Sequence, residues 1–169
     1  MLKKSRAAVI GVTESWLNES HTDESVKIEG YTLIRNDRQS HAGGVCAYIR
    51  EDISYNRSDL TTADQENIWF EILLPKSKPL YVGIIYRTER NQNCFNVLED
   101  TLPNIRSDCD LLVLGDFNLC LQKNKSKLHK DYKEVLNTFN CKQLIKVVTR
   151  ETDTSYSCLD HIFTNKEKR

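Results

Sequence analysis

The sequence predicts a layered α/β sandwich, and three observations predict it. Short apolar runs recur along the chain and are bounded by turn residues, which marks strands rather than long helices. Two of these runs, NIWFEILL and LYVGIIY, are separated only by PKSKP, so they are expected to pair antiparallel. Apolar residues fall at helical spacing in a few stretches that interrupt the strands rather than follow them as a block, which suits a layered fold. The chain has 169 residues, enough to bury one sizeable core. No repeat, low-complexity segment or linker divides it, so residues 1–169 are expected to form a single domain.

The elements follow in order. AAVIGV (Ala7 to Val12) is a buried strand that ends at Thr13 and Glu14. YTLIR (Tyr31 to Arg35) is a short strand, and VCAYIR (Val45 to Arg50) follows the turn-like NDRQSHAGG. Asn67 to Leu74 and Leu80 to Tyr86 form the hairpin pair, closed by Pro75 and Pro79. In NCFNVLEDTLPNI, Phe95, Leu98 and Leu102 lie at i, i+3 and i+7 of a helix that Pro103 ends or kinks. DLLVLG (Asp110 to Gly115) is again a buried strand. KDYKEVLNTF (Lys130 to Phe139) carries Tyr132, Val135, Leu136 and Phe139 on one stripe and is a second helix. LDHIF (Leu159 to Phe163) is the last strand.

Composition excludes several classes. With 39% hydrophobic and 28% charged residues, the chain is globular rather than disordered. No apolar run approaches the roughly 20 residues of a membrane span, so no membrane partner is expected. The start, MLKKSRAAVIGV, runs into Thr13 and Glu14 without a small-residue cleavage site and is not read as a signal peptide. The 24 basic and 24 acidic residues cancel, which removes the bulk electrostatic argument for nucleic acid and leaves only local clusters. KNKSKLHKDYK (Lys123 to Lys133) and KEKR (Lys166 to Arg169) are such clusters, and solvated faces are the commoner explanation of runs like these. None of the six cysteines is at C-x-x-C spacing. They are expected as reduced thiols of an intracellular protein, cytoplasmic or nuclear. Trp16, although it follows Glu14, is expected to be packed.

Three apolar strands each present a carboxylate: VIGVTE ends in Glu14, LLVLGD ends in Asp116, and SCLDHIF carries Asp160. Acids at the ends of buried strands can converge at one sheet edge, where ligands of α/β sheets bind. Together with Asn118 they form a hard-oxygen set suited to Mg²⁺ or Mn²⁺ rather than zinc. Turn chemistry is the competing explanation, since an acid after Gly115 can simply cap a turn.

Five stretches carry a family resemblance: IGVTESWLN (Ile10 to Asn18), GGVCAYIR (Gly43 to Arg50), VGIIYR (Val82 to Arg87), VLGDFN (Val113 to Asn118) and SCLDHIFTN (Ser157 to Asn165). In this order they resemble the endonuclease/exonuclease/phosphatase superfamily, and within it the apurinic-type endonuclease domain of LINE-type non-LTR retrotransposons. The resemblance implies a four-layer αββα sandwich that cleaves DNA phosphodiester bonds with Mg²⁺. It implies Glu14 as metal ligand, Asp116 as the acid that orients or deprotonates water, and Asn118 as the group positioning that water or the phosphate. It further implies Tyr86 on the scissile phosphate, Arg87 and Ser157 as substrate-binding residues, and Asp160 as the acid that orients a catalytic histidine. A reverse transcriptase domain in a longer parent polypeptide is the implied partner.

Two parts of the family pattern are not found. The family's first strand, with its Asn, would precede Ala7, and its Ser-Asp-His motif occurs nowhere in the sequence. The expectation is therefore a fragment with weak activity or none. His161 adjoins Asp160 but should face away from it, because neighbouring strand residues point to opposite faces. His21, His41 and His129 lie in polar segments without acid partners in sequence. A phosphatase of the same fold and a non-catalytic binding remnant are the alternatives.

Overall fold

Alternation along the strands decides the layers of this protein. The computed structural model describes residues 7–39, 42–62, 65–121 and 126–166. A three-stranded antiparallel sheet is built from β1 (Val9–Thr13), β2 (Tyr31–Asn36) and β3 (Val45–Arg50), in the order β1-β3-β2. A six-stranded sheet is built from β4 (Tyr55–Arg57), β5 (Asn67–Ile72), β6 (Leu80–Tyr86), β7 (Asp110–Asp116), β8 (Lys142–Gln143) and β11 (Asp160–Thr164), in the order β4-β5-β6-β7-β11-β8. Between β8 and β11 lies a separate hairpin of β9 (Arg150–Thr152) and β10 (Ser155–Ser157).

The expected hairpin forms, with Asn67 opposite Ile85 and Ile72 opposite Leu80. The next connection holds α1 (Cys94–Thr101) and returns the chain parallel to β6 as β7. A parallel neighbour needs such a crossover. α2 (Lys127–Thr138) begins earlier than the apolar stripe alone suggests, because Ser126 takes the N-cap and His129 packs inward, 5% exposed.

Even and odd residues of the large sheet serve two different cores. Ile68, Phe70, Ile72, Val82 and Ile84 meet Ile34, Val45, Ala47 and Ile49 of the small sheet. Trp69, Ile85, Leu111, Val113 and Phe163 face the helices and meet Phe95, Leu98, Tyr132 and Val135. On the outer side of the small sheet, Tyr31, Cys46 and Tyr48 are covered by Leu17 and Ile28. There the 3₁₀ turn Asp23–Val26 accepts the Tyr48 hydroxyl at the Val26 carbonyl, 2.8 Å away. The layers are thus helices, large sheet, small sheet and this short turn with its flanks. No helix among the described residues is long and apolar enough to cross a membrane.

All six cysteines are free, and burial pushes the Cys94 thiol up to about 12 and the Cys46 and Cys141 thiols to about 11. These three behave as small apolar residues rather than nucleophiles.

Candidate active site

The pleat brings the predicted acids together. Tyr86 ends β6, Asp116 ends β7 and Asp160 starts β11, and in register Tyr86 and Asp160 flank Asp116 on either side. All three stand on the inter-sheet face, in line with Ile84, Leu114 and Ile162. β1 crosses that face, and Gly11, Thr13, Ile84, Leu114, Asp160 and Ile162 line an open cavity of about 160 Å³ beside it. Glu14, the first residue after β1, accepts a hydrogen bond from the Tyr86 hydroxyl. Glu14 at the small sheet's margin therefore meets Tyr86 of the large sheet, and its charge reaches Asp116.

The loop after β7 is shaped by three residue types. Gly115 lies so close to β6 that an added Cβ would stand 1.8 Å from the Ile85 carbonyl oxygen. Only glycine permits that approach. Phe117 is fully buried, stacked on His161 at 5.2 Å and 10° and packed against Phe95, Tyr132 and Phe163. Burying such a ring stabilises by about 1.5–3 kcal/mol and anchors the loop. Asn118 takes φ +44, a left-handed conformation that asparagine tolerates. Its backbone N–H donates to Asp116 Oδ1 at 2.8 Å, and its Nδ2 donates to the Arg87 carbonyl at 2.9 Å. Asp116 therefore does cap a turn with one oxygen, and it also belongs to the acid cluster. The two readings of Gly-Asp are not exclusive.

Burial raises the Asp116 pKa first, and the nearby Asp160 and Glu14 carboxylates raise it further. The Asn118 N–H and the Arg150 charge oppose this. Tyr86 is pushed well above its ordinary value by burial, by its hydrogen bond to Glu14 and by the Glu14, Asp116 and Glu66 charges, so its hydroxyl keeps its proton.

Arg87 corrects the expectation of a substrate-binding group. It is 2% exposed, and its guanidinium donates to the carbonyls of Phe117, Asn118 (2.7 Å), Thr88 (3.1 Å) and Asn91 (2.9 Å). It ties the Asp116–Asn118 loop to the loop before α1 and presents no donor to a ligand. Arg87→Lys is expected to lose about 2–4 kcal/mol of stability, because one ammonium leaves several buried carbonyls unpaired. Urea denaturation checks this.

Trp16 also corrects its expectation: it is 61% exposed, not packed. Ser157 sits on β10 opposite Arg150, the residue whose charge reaches Asp116. The Thr149 hydroxyl accepts the backbone N–H groups of Leu159 (3.0 Å) and Asp160 (3.1 Å), tying the hairpin's base to β11.

Of the histidines, His161 is fully buried on the helix face, with Nε2 2.9 Å from the Leu119 carbonyl oxygen, and burial lowers its pKa. His129 bonds Ser126 and the Cys120 carbonyl, and His21 bonds Asn18. His41 lies outside the described residues, as do Lys123 and Lys125 of the first basic cluster and residues 167–169 of the second.

Glu66 is a functional candidate that sequence reasoning missed. Its Oε1 accepts the Gly44 N–H at 2.8 Å, its Oε2 is 3.8 Å from Arg38, and its charge acts on Tyr86. The signal was present: like Asp116, it abuts an apolar run, at the start of β5 rather than at a strand's end.

Among the described residues, no three His, Cys, Asp or Glu side chains form a ready metal cage. The acids still fit a divalent cation. Burial and the neighbouring Asp160 and Glu14 charges raise the cost of ionising Asp116, which a cation would relieve. Mg²⁺ typically keeps several waters and takes only one or two carboxylates plus substrate phosphate. Glu14 could hold such a cation, with the Asp116 charge nearby.

A family model described as the Endonuclease/Exonuclease/phosphatase family matches residues 1–169. No curated protein matches the sequence. Among solved structures, the chain is similar to the endonuclease domain of TRAS1, a telomere-specific non-LTR retrotransposon, at 15% identity and TM-score 0.70, covering 94% of this chain and 73% of that one. It is similar to an AP endonuclease from Archaeoglobus fulgidus at 15% identity and TM-score 0.66, covering 97% and 78%. It is also similar to the 3′ phosphatase NExo from Neisseria, solved with a product DNA hairpin, at 13% identity and TM-score 0.68, covering 96% and 78%. These identities establish a shared fold.

Proposed function

Since the chain belongs to the Endonuclease/Exonuclease/phosphatase family, we propose that it is a divalent-cation-dependent DNA endonuclease, with Mg²⁺ or Mn²⁺ as cofactor. The observation that carries this reading is the row Tyr86, Asp116, Asp160, joined across the sheets by Glu14. The motif order and the likeness to a retrotransposon endonuclease fold support a LINE-type origin, with a reverse transcriptase in the parent polypeptide. Six free thiols suit a reducing, intracellular site of action.

Each residue has a role that its surroundings support. A cation held by Glu14 would stabilise negative charge on the phosphoryl oxygens and leaving group. Asp116, held in place by the Asn118 N–H on its Oδ1, takes the proton from the attacking water. Asn118, held at its Nδ2 by the Arg87 carbonyl, turns its amide oxygen toward that water. Tyr86 stays protonated and donates a hydrogen bond, to Glu14 in the free protein and to a phosphate oxygen in the complex. Ser157 contacts the substrate from the hairpin. Asp160 keeps the charge around Asp116 high; His129 has both ring nitrogens hydrogen-bonded, His21 bonds Asn18 through Nδ1, and His161 bonds carbonyls through Nε2 on the helix face. With no imidazole at the leaving group among the described residues, the rate is expected to be about 10²–10⁴-fold below that of a site that has one.

Nicking of supercoiled plasmid by the purified chain tests this. Slow nicking in Mg²⁺, absent in EDTA and in Asp116→Ala, is the expected result. A folded chain that nicks nothing, or that hydrolyses a soluble phosphomonoester and leaves plasmid intact, overturns it. The second outcome would move the assignment to phosphatase.

A further inference from the structure

We propose that Trp16 is a stacking platform for an unpaired nucleobase beside the phosphodiester site, so that the preferred substrate is single-stranded or locally unstacked DNA. The inference rests on the phosphodiesterase reading above. Its starting observation is a large aromatic ring in water. Trp16 is 61% exposed, whereas Trp69 is 1% exposed. The next residue, Leu17, packs onto the outer core of the small sheet, so the chain buries the smaller side chain and turns the larger one outward.

The backbone holds that arrangement. Trp16 has φ +57 and Glu14 has φ +52. The left-handed region is uncommon for bulky residues and persists only where the surroundings over-determine it. Here the Ser15 N–H donates to the Gly44 carbonyl at 3.1 Å and the Trp16 N–H to the Gly43 carbonyl at 2.9 Å. Gly44 itself has φ +80, and its N–H is held by Glu66 at 2.8 Å. The turn that aims Glu14 at Tyr86 is thus the turn that sends the indole outward. Two residues span at most about 7 Å of chain, so a base attached at or next to a bound phosphate is within the ring's reach.

The chemistry matches the need. The charge balance of the whole chain is zero, so no bulk electrostatic attraction holds DNA. Stacking of bases on an aromatic side chain supplies affinity without sequence preference, since every base has a π-face. A base paired within an intact duplex hides that face, which is why the platform selects unstacked DNA.

The test uses the indole as its own reporter, because Trp69 is shielded. An oligonucleotide of about eight bases, within the site size of single-strand binders, is titrated in EDTA, and an abasic strand of equal length and charge is titrated beside it. Base-bearing DNA is expected to quench Trp16 emission, and the abasic strand to leave it nearly unchanged. Trp16→Ala, with an unchanged urea midpoint, is expected to bind the base-bearing strand about 5- to 100-fold more weakly. Trp16→Phe should recover most of that loss, and both variants should bind the abasic strand like the parent. Equal affinity of the parent for the two strands, or of Trp16→Ala and the parent for the base-bearing strand, overturns the proposal. Plasmid nicking by the parent separates the two readings. Base-selective quenching in a chain that cannot nick upholds the platform and removes the hydrolytic reading. Normal nicking with unchanged Trp16→Ala binding does the opposite.

Discussion

Asp116→Asn is expected to lower the cleavage rate by about 10²–10⁴-fold, as loss of a positioned general base does, and in EDTA to raise the melting temperature. The second effect follows from the same chemistry as the first. Burial and the Asp160 and Glu14 charges hold the Asp116 pKa above its ordinary value. A carboxyl that binds its proton more tightly when folded is most stabilising while protonated. Its contribution is therefore present at low pH and is lost as pH rises from the ordinary carboxylate range, about 4, through the raised folded pKa. At neutral pH the parent bears that cost and an asparagine does not. The substituted amide oxygen can still accept the Asn118 N–H. Thermal denaturation of both proteins in EDTA at pH 7 and pH 5 checks this. The gap should be wider at pH 7. A lower melting temperature for Asp116→Asn in EDTA would remove the claim that the site is electrostatically strained. Added Mg²⁺ should stabilise the parent more than the variant, since binding to the folded state alone raises stability.

Gly115→Ala is expected to cost at least about 4 kcal/mol, in the range reserved for a few severe mechanisms. The added methyl would meet the Ile85 carbonyl oxygen at 1.8 Å, and the Ile85 carbon at 2.8 Å. Neither atom belongs to a flexible side chain, so β6 and β7 must separate where Tyr86 and Asp116 stand in register. A small domain has about 5–15 kcal/mol in total, so a large share of the variant should be unfolded or aggregated. Urea midpoints measure the loss. A variant as stable as the parent would show that β6 and β7 can yield at this point.

Most of the large elements were legible because each is an apolar run with a period. The hairpin Asn67–Tyr86, β7 and the stripe of α2 carry their own pattern. β4, β8, β9 and β10 were not, since each is two or three mainly polar residues at a sheet margin or in a hairpin. Their pairing comes from the strands beside them. In the site, Glu14, Asp116 and Asp160 could be found from the rule that an acid at the end of a buried run needs a reason. Parity could even have placed Tyr86, Asp116 and Asp160 on one face. Arg87 and Trp16 defeated the reading in opposite directions. Burial of Arg87 depends on the distant carbonyls of Phe117 and Asn118 as well as on those of Thr88 and Asn91 in its own loop, and exposure of Trp16 depends on a positive φ fixed by Gly43 and Gly44. In both cases a partner far along the chain decides the outcome.

The acids are divided between two sheets, with Glu14 following an edge strand of the small one and Tyr86, Asp116 and Asp160 carried by the large one. Activity is therefore a gauge of sheet-on-sheet docking. Local openings need far less free energy than global unfolding, and a misplacement near 1 Å can cost about 10²-fold in rate. On a urea gradient, function should fade while both sheets still give a native circular dichroism spectrum. Amide exchange in β1 should quicken over the same range, before β6 and β7 respond.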